Sequence, residues 1–293
     1  MPATAQIDGM DIVYEVIDGG PGRDWVITPG GRFSKDDPGV RELGAALVER
    51  GGRALIWDRP NTGASSVCFR GPTESHMQAD TLAGLLRHLG FGATVIVGGS
   101  GGARVSLLTA ANHPDVAAGL GLWWISGGVL GNIMLGVHYC GGSISAAWRG
   151  GMEAVAELPE WSSVIARNPD NRERFLDLDP AEFITTLERW MVAYCPCDDA
   201  GLVAGLSAAE AQRITVPALV LRSGSSDYNH PTATSRVIAE SLPHGRLVEP
   251  PWGEHEWMER QAARNTGEAG GLFVRWPLVA QPLLDWADEA IPS

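Results

Sequence analysis

The sequence predicts an α/β protein: a mostly parallel sheet with helices on both faces, interrupted by an inserted helical segment. Three observations predict it. Short, continuously apolar runs recur along the chain, as expected of strands buried on both faces of a parallel sheet. Helical patterns separate them, and that alternation is the mark of βα units. The alternation stops after Gly128 and resumes at Val216.

Taken in order, Asp11 to Ile17 and Asp24 to Thr28 read as early strands. Arg53 to Trp57, Thr94 to Val97, Leu120 to Ile125 and Ala218 to Leu221 are the buried runs, and Arg246 to Glu249 is a last short strand. Leu82, Leu85, Leu86 and Leu89 recur at helical spacing and form one apolar stripe. Ser75 and Gln78 match a capping box at its start, and Gly90 is a suitable stop. Ala103 to Ala111 reads as the next helix, ending near His113-Pro114. Between 129 and 213 the pieces are helical: Met152 to Leu158, Arg172 to Leu176, Ala181 to Ala193 and Ser207 to Arg213. The expected organisation is therefore a core of residues 1–128 and 214–293 with an insertion over 129–213.

Composition narrows the function classes. The chain has 293 residues, 35 acidic against 22 basic, and a formal charge of −13. Such a balance argues against nucleic-acid binding, which needs a basic face to neutralise phosphates. The beginning MPATAQIDGM has no basic and no apolar signal region, and no apolar run reaches the ~18 residues of a membrane span. The expectation is a cytoplasmic protein that meets a small-molecule substrate, with no nucleic-acid or membrane partner and with a homo-oligomer left open. Four cysteines are read as reduced thiols: Cys195 and Cys197 stand too close for an easy disulfide, and no zinc spacing is present. No metal or organic cofactor is expected.

Gly98-Gly99-Ser100-Gly101-Gly102 carries the chemistry. It follows an apolar strand and opens a helix, the context of a serine held on a sharp strand-to-helix turn. Glycines on either side remove Cβ atoms that would clash, and the helix start supplies free N–H groups for a developing oxyanion. A serine so placed needs a base, and the base an orienting carboxylate. With the order serine, acid, histidine, Asp227 is the expected acid, in the loop after the strand at 218–221. His255 is the expected base, in the loop after the last strand. His230 reads instead as the first turn of a helix, and His76, His88, His113 and His244 as ordinary surface or turn histidines. The oxyanion donors are expected from Gly101 and from Gly31 or Arg32, in the glycine loop after an early strand. Candidate substrate contacts are Gly30, Phe33, Trp124, His138, Trp148, Trp190 and Trp257, although packing explains the aromatic ones equally well.

Together these residues resemble the α/β-hydrolase superfamily, in its serine-nucleophile branch with a helical cap. Asp58-Arg59-Pro60-Asn61-Thr62-Gly63-Ala64-Ser65 looks like that family's segment after the third core strand, with Arg59-Pro60 in place of Arg-Gly. Pro29-Gly30 replaces the usual His-Gly of the oxyanion loop, and Arg264 to Phe273 reads as an extra loop. The resemblance implies an α/β-hydrolase sheet and hydrolysis of a small, apolar or aromatic carboxylic ester or lactone through an acyl-enzyme. Other readings are carbon–carbon bond hydrolysis of a vinylogous diketone, with Arg149 or Arg189 as the cap arginine, a proline-iminopeptidase-like amidase, or a ligand receptor on the same fold.

Overall fold

The computed structural model describes residues 2–195, 201–266 and 271–292. An eight-stranded sheet runs through it in the order β1 (Ala3–Ile7), β2 (Met10–Asp18), β4 (Arg53–Trp57), β3 (Trp25–Thr28), β5 (Thr94–Gly99), β6 (Ala117–Trp123), β9 (Ala218–Leu221), β10 (Gly245–Val248). From β4 to β10 every pairing is parallel, and β1 and β2 add an antiparallel edge. The expected strands are all present with small shifts of their ends. β1 was not among them: its burial alternates and it carries Thr4 and Gln6, so no apolar run marks it. A short ribbon of β7 (Gly201–Val203) and β8 (Leu206–Ser207) stands apart from the sheet.

Period-two alternation divides the core into two layers. Ile96 faces one side, with Leu82, Leu85 and Leu86 of α2 (Glu74–His88) and Leu107 and Leu108 of α3 (Gly101–Asn112). Val95 and Val97 face the other, with Leu43 and Leu47 of α1 (Val40–Leu47). The leucine stripe thus packs as expected, but the cap of α2 is Thr73, whose hydroxyl accepts from the His76 amide; Ser75 lies inside the helix.

Between β6 and β9 lie α4 (Val129–Gly136), α5 (Gly142–Ala156), α6 (Pro159–Arg167), α7 (Asp170–Leu176), α8 (Pro180–Val192) and the one-turn α9 (Ala208–Ala211). A separate apolar cluster around Trp161, Phe175, Phe183, Leu187 and Trp190 holds α5 to α8 together. Asn171 ties this segment to the loop after β4: its side chain accepts from the Val67 amide at 3.0 Å and donates to the Ser65 carbonyl at 3.0 Å. After β9 come α10 (Thr232–Ser241), α11 (Glu256–Thr266) and α12 (Ala280–Ala290), the last packing Leu283 and Ala287 beneath the sheet. Arg264 to Thr266, expected in a loop, belong to α11. Cys68, Cys140 and Cys195 are free thiols, and Cys197 lies outside the described residues. No helix among the described residues is long and apolar enough to cross a membrane.

Candidate active site

Ser100 sits at the junction of β5 and α3 with φ 57° and ψ −122°. A non-glycine residue rarely holds that conformation, and tight packing on both sides enforces it. A Cβ at Gly102 would lie 1.9 Å from the Thr28 carbonyl oxygen, and one at Gly30 would lie 2.6 Å from the Ser100 Cβ. Only glycines therefore allow the β3 loop and the α3 start to close on the serine. The Gly101 amide, first in α3, has no partner within its helix.

The loop after β9 brings the remaining groups. Asp227 accepts from the backbone amides of Asn229 (3.1 Å) and His230 (3.0 Å) with one carboxylate oxygen. Its other oxygen is 2.8 Å from His230 Nδ1. His230 Nε2 is in turn 2.9 Å from Ser100 Oγ. Both His230 and Asp227 are buried. The pattern assigns the Nδ1–H tautomer, with Nε2 accepting the serine proton. The imidazole is fixed by rings as well as by hydrogen bonds. Trp257 stands edge-on to it at 4.4 Å and Trp124 lies stacked at 6.2 Å.

This corrects the expectation for His255. That side chain is exposed, and its Nδ1 lies 3.0 Å from Ser226 Oγ. The reason lies next to it: Glu254 pairs with Arg222 and accepts from the Ser225 amide at 2.9 Å, which pins the loop with His255 outward. The Arg222 guanidinium and the Ser225 amide hold the Glu254 carboxyl down at about 2. The same loop still contributes to the centre, but through Trp257. The sequence signal for His230 is one of spacing, and it does not by itself exclude His255. An aspartate followed three positions later by histidine can close an Asx-type turn that sets both side chains together.

The glycine loop after β3 lies over the serine. Arg59 Nη2 donates to the carbonyls of Gly30 (3.1 Å) and Gly31 (2.8 Å). Asp58, buried, accepts from Ser34 Oγ (2.8 Å) and from the amides of Lys35 (2.7 Å) and Ala64 (2.9 Å). The Asp58-Arg59 segment therefore braces the loop from behind. Arg32 contributes no side chain to the cavity; it pairs with Glu74 and lies over the rings of Tyr139 and Trp161.

A cavity of about 260 Å³ opens beside Ser100. Of the residues singled out in the sequence, Gly30, Gly31, Phe33, His138 and Trp257 line it, and Arg264 joins them. Three expected contacts do not. Trp124 is buried behind His230, Trp190 is buried in the helical cluster with its indole N–H 3.2 Å from the Gly71 carbonyl, and Trp148 is 72% exposed. Burial, with Arg32 and Arg264 nearby, lowers the pKa of His138 and favours its neutral form. Among the described residues no group of three or more His, Cys, Asp or Glu could hold a metal ion.

No protein-family model and no curated protein matches the sequence. Solved structures do. An esterase from Thermogutta terrifontis is 22% identical with a TM-score of 0.57, over 100% of both chains. An enol-lactonase from Burkholderia xenovorans is 22% identical with a TM-score of 0.53, over 90% of this chain and 97% of that one. An alpha/beta hydrolase fold protein from Nakamurella multipartita is 21% identical with a TM-score of 0.57, over 99% of each. At these identities the likeness is one of fold: the chain has the α/β-hydrolase architecture.

Proposed function

We propose that the protein is a serine hydrolase of small carboxylic esters or lactones, with Ser100 as nucleophile, His230 as base and Asp227 as orienting acid. The observation that carries the reading is the continuous hydrogen-bonded chain from Ser100 Oγ through His230 to Asp227. In this reading Ser100 Oγ attacks the substrate carbonyl carbon as its proton passes to His230 Nε2. The oxyanion is met by the amides of Gly101 and Gly31. Collapse expels the alcohol, which takes the proton back from His230. Water then attacks the acyl-enzyme, with His230 accepting its proton, and the carboxylic acid leaves while Ser100 is restored. Asp227 keeps the imidazole in the Nδ1–H tautomer and stabilises its cation. The described lining of the cavity has no carboxylate to receive a substrate ammonium, which disfavours the aminopeptidase-like alternative. The segment 129–213 acts as a cap in this reading, bringing Met134, Leu135, His138 and Tyr139 to the cavity wall.

The test is p-nitrophenyl ester hydrolysis by three variants. Ser100→Ala and His230→Gln should each lose kcat on the order of 10⁴-fold or more. His255→Gln should stay within about three-fold of the parent, since a solvated surface histidine carries no step. Turnover surviving in Ser100→Ala would sink the nucleophile, and loss in His255→Gln with retention in His230→Gln would reverse the assignment of the base.

A further inference from the structure

The protein is acidic overall, yet the ground around Ser100 is cationic. Arg59 and Arg104 are each only 3% exposed. Among the described residues neither has a carboxylate within ion-pair distance; the one carboxylate set among these guanidinium groups, Glu74, is paired with Arg32. Arg59 donates to two carbonyls and to Gln78. Arg104 donates to Ser126 Oγ at 2.5 Å and Tyr194 Oη at 3.2 Å, and its Nε, like that of Arg59, has no partner. Both guanidinium groups converge on the start of α3. A Cβ built on Gly101 would lie 3.5 Å from Arg104 Nη2 and 3.6 Å from Arg59 Nη1. Burial, with Arg32 and Arg104 nearby, outweighs the Glu74 charge and lowers Arg59 to about 10, which still leaves it charged at neutral pH.

Three guanidinium groups around one carboxylate leave positive charge in excess at a buried place, which is expensive and persists where something offsets it. The cavity points to what that is. Among the described residues that line it, Arg264 alone carries a charge; it is exposed, its guanidinium lies 5.1 Å from the Phe33 ring centre, and no carboxylate of the described residues is within ion-pair distance of it. The remaining wall is apolar or neutral, and the ring of Tyr139, which lines it, has the Arg32 and Arg104 guanidinium groups 5.1 and 5.7 Å from its centre.

We propose that the substrate is an anion: an ester or lactone whose acyl part carries a carboxylate, seated against Arg264 while Arg59 and Arg104 supply a positive field behind the nucleophile. This rests on reading Ser100 as the nucleophile. The apolar lining takes the chain between the two functional groups, and the fixed guanidinium field favours both the bound anion and the oxyanion formed next to Gly101.

The experiment compares kcat/KM for mono-p-nitrophenyl adipate and p-nitrophenyl hexanoate, which differ at the far end of the acyl chain by a carboxylate. The adipate ester should be preferred by about ten-fold or more at low salt, and the preference should shrink as salt is added. In Arg264→Gln the adipate-to-hexanoate ratio should fall by about ten-fold, with partial recovery in Arg264→Lys. Equal or better use of hexanoate, or an unchanged ratio in Arg264→Gln, overturns the proposal. Ser100→Ala separates this from the underlying reading: if it abolishes both activities while hexanoate is preferred, only the anion proposal fails.

Discussion

At the scale of single residues, Asp227 does two jobs with two oxygens. One closes the turn by accepting two amides, and the other takes the imidazole. Asp227→Asn keeps the shape of the turn but can present an N–H where an acceptor is needed, which favours the wrong tautomer of His230. We expect kcat to fall on the order of 10³- to 10⁴-fold with little change in melting temperature; steady-state kinetics beside a thermal melt checks both. The turn that holds Ser100, the proposed nucleophile, was legible in the sequence because its strain demands glycines at fixed offsets, and these are visible as letters. The base was not. The order of serine, acid and histidine is met equally by His230 and His255, and what decides between them is the Arg222–Glu254 pair, which turns His255 outward.

At the scale of elements, the strands buried on both faces were legible because such burial leaves an uninterrupted apolar run. β1 was hidden because one of its faces is exposed and its register is supplied by β2. Arg264 to Thr266 were misread because they end a helix with a low density of apolar residues. The loops after β9 and β10 are joined by the Glu254 clasp to Arg222 and the Ser225 amide. Its pH dependence has a definite sign. The Glu254 carboxyl is depressed to about 2 from 4.5, so the clasp contributes above the ordinary carboxylate value and is lost as pH falls towards about 2. The melting temperature of Glu254→Gln should therefore trail the parent by a constant amount from about pH 8 to 5, and the gap should close below about pH 4. A gap that widens in acid would reject this account.

At the scale of the whole molecule, the sheet brings the C-terminal ends of β3, β5 and β9 to one edge, and each delivers one part of the centre: the glycine loop, Ser100, and the Asp227–His230 turn. The apolar layers on either side carry the stability that keeps those ends in register. Leu82 of α2 is fully buried in one layer, away from the cavity. Leu82→Ala should cost about 2–5 kcal/mol by leaving a cavity, seen as a lowered denaturation midpoint, with kcat of the folded fraction near that of the parent.

The placement of Asp227 and His230 on one turn has a consequence for how the pair assembles. Bringing Asp227 to His230 closes a loop of three residues, where the pairing with His255 would have closed one of 28 (255 minus 227). By loop-closure entropy the shorter pairing is cheaper by about 2 kcal/mol. The carboxylate and imidazole can therefore meet as soon as their own turn forms, before β10 has found β9.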